Sequence, residues 1–159
     1  MSVRAEILTT GNPQVKGASL IINAPAGDIF NLLANPRQHS LIDGSHTVKS
    51  LHFGPERLSL GAKFGMNMKV GISYRITNTV VEFEEEKKIA WCHLGRWVWR
   101  YELTSITPDQ TLVVETFDAR PSHLKWWLKL RKSYGYAEIA TAKTLVRLKK
   151  ITEEKSAQR

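Results

Sequence analysis

At 159 residues the chain has the usual length of one compact domain and leaves little room for a second core. Hydrophobic residues at 42% and charged residues at 24% give a globular composition and exclude a disordered or fibrous chain. The formal net charge of +8 suits attraction to nucleic acid, anionic lipid surfaces or acidic small molecules without choosing among them, and it suits equally the plain solvated face of a basic protein.

The first ten residues carry Arg4 and Glu6 and no long apolar run, so neither a secretory signal nor a spanning helix is read there. Residues 18–24 form a β-prone run that stops at Pro25, which cannot donate to a ladder but can begin a helix. Behind the acidic Asp28, the apolar Ile29, Phe30, Leu32 and Leu33 predict a helix that ends before Pro36. A further helical turn or two is expected over 37–42, followed by the turn-forming Asp43, Gly44 and Ser45. Six strands follow, over 48–53, 57–68, 73–84, 88–94, 96–107 and 111–117, separated by Gly54-Pro55, Gly71, a charged turn at 84–87, Gly95 and Pro108-Asp109. Connections this short predict an antiparallel meander, since parallel strands need long crossovers. After Pro121, Ser122 is a candidate N-cap. Trp127, Leu130, Tyr134, Ala137, Thr141, Leu145 and Leu148 fall three or four apart, which predicts one long amphipathic helix with a kink at Gly135 and a frayed tail after Ile151.

Alternation along the strands sorts side chains by face. Trp97, Trp99, Tyr101 and Leu103 share one face, opposite Val98, Arg100 and Glu102; the same rule groups Ile89, Trp91 and His93, then Val113, Glu115 and Phe117, then Met66 and Met68. Turned inward, these groups make either a solid aromatic core or the apolar wall of a small-molecule pocket. Glu115 is the sharpest candidate, because a carboxylate on an inward face is costly to bury alone. It is either a ligand contact or general acid/base with a raised pKa, or a rim glutamate paired with a basic residue such as Arg100. His93 is either its cavity neighbour or a rim residue, and Cys92 should face outward.

No nucleophile elbow or phosphate-cradling glycine loop is present, and His39, His46, His52 and His123 lack metal-ligand spacing. With Cys92 the only cysteine, a disulfide framework is excluded. The expectation is a cytoplasmic protein with no metal and no cofactor. Basic residues gather on the C-terminal helix beside Trp126 and Trp127, so that helix is either an ordinary solvent face or a weak contact for an anionic membrane surface. Nucleic-acid binding is not expected, for want of a recognition motif.

The segment Ile22-Asn-Ala-Pro-Ala-Gly-Asp-Ile-Phe-Asn-Leu-Leu-Ala-Asn-Pro-Arg37, continuing to Ile42-Asp-Gly-Ser45, resembles the opening of the SRPBCC (START-like, Bet v 1-like) superfamily, especially its polyketide cyclase/dehydrase-like branch. Ile89-Ala-Trp91, Arg100-Tyr-Glu-Leu103 and Thr111-Leu-Val-Val-Glu-Thr-Phe-Asp118 are similar to it in matching order, so the likeness runs over roughly 17–151. It implies an α+β helix-grip fold: a curved seven-stranded antiparallel sheet around a long C-terminal helix, with two short helices after strand 1, in a single domain over 1–159 whose core is about 15–152. It also implies a cavity between sheet and helix, here walled by Met66, Met68, Trp91, Trp97, Trp99, Tyr101, Glu115, Phe117, Trp127 and Tyr134, with Asp43 and Ser45 at its mouth.

Members of that superfamily bind lipids, sterols, polyketides and other hydrophobic compounds, and a minority catalyse reactions in the same space. The expected function is therefore binding or transport of a small hydrophobic ligand by a monomer or weak homodimer. The alternatives are a cyclase or dehydratase using Glu115, His93 or Tyr101, and an interaction protein acting through the basic helix.

Overall fold

The computed structural model describes residues 2–158. Its strands are β1 (Glu6–Ile7), β2 (Val15–Ile22), β3 (Val48–Phe53), β4 (Lys63–Val70), β5 (Ile72–Glu84), β6 (Lys88–Cys92), β7 (Val98–Thr107) and β8 (Gln110–Asp118). They form one antiparallel sheet in the order β1-β2-β8-β7-β6-β5-β4-β3. Six of these follow the predicted run of consecutive strands, although β4 starts at Lys63 where the strand was expected from 57, and β2 matches the opening one. The eighth, β1, is a two-residue edge piece on β2 that composition alone does not mark.

Helix α1 (Ala26–Ala34), a 3-10 turn at Pro36–Gln38 and α2 (His39–Ile42) carry the chain from β2 to β3, at the far side of the sheet. The buried side of α1 is the apolar set Ile29, Phe30, Leu32 and Leu33, and Pro36 starts the next turn once α1 has ended. Register shifts in the β3–β4, β5–β6 and β7–β8 pairs bend and twist the sheet locally.

The single C-terminal helix expected from the sequence is two helices, α3 (Lys125–Leu130) and α4 (Ser133–Ala157). The break lies at Lys132, whose backbone is left-handed at φ 54°, and not at Gly135, which sits inside α4. Ser122 caps no helix: its hydroxyl donates to the Gly95 carbonyl and accepts from the Leu124 amide. Leu130, expected on the inner stripe, is 74% exposed, because the break takes α3 out of phase with α4. The tail expected to fray continues as helix to Ala157, with Thr152 buried and its hydroxyl donating to the Leu148 carbonyl.

Helix α4 packs mainly on β2 and β8 through Ala137, Thr141, Leu145 and Leu148. The main core joins Ile22, Phe30, Leu33, Phe64, Ile89, Val113, Leu145 and Leu148. A smaller cluster of Phe117, Ala119, Leu128 and Ala137 seals the α3 end, with Trp97, Trp99, Trp127 and Tyr134 against it. This is the helix-grip arrangement, and it leaves a space between sheet and helices that the two clusters do not fill.

Candidate functional site

That space is a cavity of about 700 Å³. The strands line it by parity, as alternation requires: Phe64, Met66 and Met68 from β4; Trp91 from β6; Trp99 and Tyr101 from β7; Glu115 and Phe117 from β8. Trp97 and His93, in the β6–β7 turn, extend the same faces, and Trp127 and Leu128 of α3 close over them. Trp97 stacks on Trp127 at 6.2 Å, Arg131 lies over the Trp127 ring at 4.9 Å, and Trp99 meets Phe117 edge-on at 4.9 Å. Of the residues expected in the wall, Tyr134 alone does not line the cavity. It supports Phe117 from behind at 6.1 Å, while Tyr136, two positions on, reaches the opening.

Glu115 is 3% exposed and lies directly across from Tyr101 in the β7–β8 pair, so the Tyr101 hydroxyl donates to its Oε1 at 2.9 Å. The other oxygen, Oε2, is buried without a hydrogen-bond partner. Burial pushes this carboxyl well above the usual carboxylate range; the Tyr101 bond opposes that shift and the nearby Asp43 adds to it. That shift favours the protonated acid, in which Oε1 accepts from tyrosine and Oε2 carries the proton inside the cavity wall. The pairing with Arg100 considered from the sequence does not form. Arg100 has the opposite parity and lies on the outer face, donating to Glu82 at 2.6 Å and Asp118 at 3.3 Å. Burial alone would raise Asp118, but bonds from Arg120 and Arg100 hold it down at about 2.

His39, noted from the sequence only for its lack of metal-ligand spacing, is buried in the cavity wall on α2, stacked on Trp91 at 4.7 Å. Its Nε2 lies 2.8 Å from the Leu33 carbonyl, which can only accept, so Nε2 carries the hydrogen. Burial lowers its pKa to about 4 against the opposing pull of that carbonyl and of Asp43, which leaves Nδ1 as an acceptor in a neutral ring. The signal for it was the i, i+3 spacing of His39 and Ile42, both buried, on a turn opened by Pro36. His93 lines the outer part of the cavity. Its Nδ1 accepts the Gly95 amide, its ring meets Trp97 edge-on, and burial lowers its pKa.

Asp43 shapes the turn after α2 as its residue type suggested. Its Oδ1 accepts from the Ser45 amide and hydroxyl, and its Oδ2 accepts from the Thr47 and Val48 amides. The turn is docked on α4 through Gly44, whose amide donates to the Thr144 hydroxyl at 2.9 Å. Asp43 and Ser45, expected at the mouth, are half-buried wall residues. The exposed lining residues are Val70, Ile72 and Tyr74 of the β4–β5 hairpin and Arg131 and Tyr136 of the α3–α4 corner, so the mouth lies between those two segments. Among the described residues no three His, Cys, Asp or Glu side chains gather as metal ligands would.

No family model matches the chain. An uncharacterised Mycobacterium tuberculosis protein, Rv0088, is 35% identical over 138 residues, a stretch covering 86% of this chain and 62% of that protein. The chain thus spans less than two thirds of the length of the curated relatives it matches. Among solved structures, protein Ms6760 from Mycobacterium smegmatis superposes with a TM-score of 0.70 at 14% identity, over 99% of this chain and 100% of that one. The polyketide-cyclase-like protein Cgl2372 from Corynebacterium glutamicum gives 0.56 at 16% identity, over 92% and 95% of the two chains. At such identities the likeness is one of fold: the chain shares the fold of Cgl2372 and the other solved structures, which is the fold expected from the sequence.

Proposed function

We propose that this chain binds a small, largely apolar ligand in the cavity between sheet and helix, held at its inner end by the Glu115 carboxyl. The reading rests most on Glu115 Oε2, a buried polar atom with no partner on a mainly apolar and aromatic wall. Buried polar groups in native proteins are paired, and one left single in a cavity marks the place where a ligand atom completes the set. The cavity volume lies within the range of small-molecule sites. In its protonated form the acid donates to a carbonyl or hydroxyl oxygen of the ligand, and a charged ligand group is disfavoured by the cost of burying it.

The test is native mass spectrometry of protein purified from its own host, with extraction of the retained compound and calorimetric titration of that compound into variants. A stoichiometric neutral, mainly apolar molecule is the expected result. Glu115→Gln keeps a donor at the same position and should change affinity by less than roughly tenfold, whereas Glu115→Leu removes the bond and should weaken binding by about tenfold or more. An empty protein that also ignores fatty acids, sterols and aromatic polyketides would overturn the reading.

The same unpaired acid also favours a second reading, proton transfer to a bound carbonyl in a cyclisation or dehydration. Glu115→Gln separates the two: a binder keeps its ligand and loses nothing else, whereas such an enzyme loses turnover while still binding.

A further inference from the structure

The rim of the cavity mouth has a composition that neither ligand binding nor folding explains. Three segments meet there: the β4–β5 hairpin tip, the β6–β7 turn and α3. Trp127 and Leu128 of α3 line the cavity beside Trp97, and Ser122 and His123, just before α3, bond to Gly95 and Arg96 of the β6–β7 turn. Tyr74 of the hairpin lies within electrostatic reach of Tyr136 and Arg131 at the α3–α4 corner.

Each segment presents a large apolar side chain to solvent: Ile72 at 80%, Leu94 at 98%, and Trp126 and Leu130 at 67% and 74%. Scattered exposed apolar residues are ordinary, but these four fall on the three segments that meet at the mouth, and Ile72 lines it. The same segments are basic throughout. Residues 69–75, 93–97 and 119–137 contain no aspartate or glutamate, while Lys69 and Arg75, Arg96, and Lys125, Lys129 and Lys132 are distributed over them. Among the described residues none of these six forms an ion pair with a carboxylate. Further along α4 the basic residues serve the fold: Arg147 donates to the Leu41 carbonyl, and Lys149 donates to the Ile21 carbonyl and to Glu153. What sets the mouth apart is that its three segments hold no carboxylate at all and carry their basic residues together with exposed apolar side chains.

We propose that this end of the molecule docks on an anionic lipid bilayer, with Ile72, Leu94, Trp126 and Leu130 in the headgroup layer and the lysines and arginines around them facing lipid phosphates. An indole suits that layer because it has an apolar body and a polar N–H, and lysine stems bury against the apolar region while their ammonium groups stay in water. No helix among the described residues is long and apolar enough to cross a membrane, so contact by these helices is peripheral and reversible. Its geometric effect is that the cavity mouth faces the bilayer, and an apolar ligand passes between lipid and protein without crossing bulk water.

The test is co-sedimentation of the full chain with vesicles of phosphatidylcholine alone and of phosphatidylcholine and phosphatidylglycerol in equal parts. Binding should favour the anionic vesicles and fall as salt is raised, because exposed charges are screened beyond about 10 Å at 0.1 M salt. The pair Trp126→Ser with Leu130→Ser, and separately the pair Lys125→Glu with Lys129→Glu, should each lower partitioning by roughly tenfold or more. Circular dichroism and thermal unfolding report on folding of these variants, and both should be unchanged, since apart from the half-buried Lys125 all the residues changed are exposed. Equal sedimentation with both vesicle types, or variants that sediment like the parent, would overturn the proposal. So would a parent chain that ignores vesicles but forms a dimer, or retains nucleic acid, through the same residues. Failure here leaves the cavity reading standing, since ligand binding in solution is measured without lipid.

Discussion

Glu115 and His39 face one cavity and pull the pH dependence of stability in opposite directions. The native His39 ring has its pKa lowered from 6.5 to about 4, so in that interval the unfolded chain binds more protons. Its stabilising contribution is complete above the unfolded value and is lost as pH falls through the window, about 3 kcal/mol in all. Glu115 is raised above 4.5, so above that pH the native state holds a proton that the unfolded chain has released. Its contribution is complete below 4.5 and is lost as pH rises. Thermal unfolding across the acid and neutral range should therefore show His39→Gln with a shallower acid-side decline than the parent, His93 and Asp118 still contributing theirs, and Glu115→Gln gaining on the parent as pH increases. If Glu115→Gln melts in parallel with the parent at every pH, the carboxyl is not held neutral. Alternation along β8 was enough to place Glu115 inward, but not to find its partner. The two-residue turn at Pro108-Asp109 sets Thr107 opposite Gln110, and continuing that register would set Tyr101 opposite Thr116. The shift between Ser105 and Thr107 moves it by one residue and brings Tyr101 opposite Glu115.

At the scale of elements, the strands were legible because turn residues punctuate them, so that β3, which Gly54-Pro55 follows, was bounded correctly at both ends. The break between α3 and α4 was not, because Lys132 adopts its left-handed backbone without the glycine that usually marks one. Gly135, which attracted that expectation, lies in the interior of α4 with open space where a Cβ would go. Gly135→Ala should raise stability by about 1 kcal/mol in denaturant titrations, and a loss would mean that the helix is strained there. Gly44 is the contrasting case. A Cβ at that position would lie 2.4 Å from the Thr144 amide nitrogen and 2.5 Å from Lys143 atoms, so the turn built on Asp43 can sit against α4 only with glycine. Gly44→Ala should cost about 2 kcal/mol and weaken ligand binding as well, because the wall at Asp43 and Ser45 moves with the turn.

For the whole molecule, the grip arrangement sets the core to one side of a space that ligand binding would fill. A ligand that binds only the native state at about 100 times its Kd adds about 2.7 kcal/mol and should raise Tm by roughly 5–10 °C for a domain of this size. A compound that binds by calorimetry without moving Tm would be held on the surface. The sequence conveyed the layout of sheet and helix, since that follows from local period and turn spacing. It did not convey whether the aromatic faces met or stood apart, because alternation fixes which face a side chain takes and not how far the helices stand from the sheet. The resulting wall holds Trp91, Trp97, Trp99 and Trp127, four of the five tryptophans, while Trp126 stands alone in solvent. The chain is in this way its own optical instrument. A bound molecule absorbing in the near ultraviolet dims four indoles together, an aqueous quencher such as iodide reaches chiefly the fifth, and filling of the interior and covering of the rim appear as separate signals from one unlabelled protein.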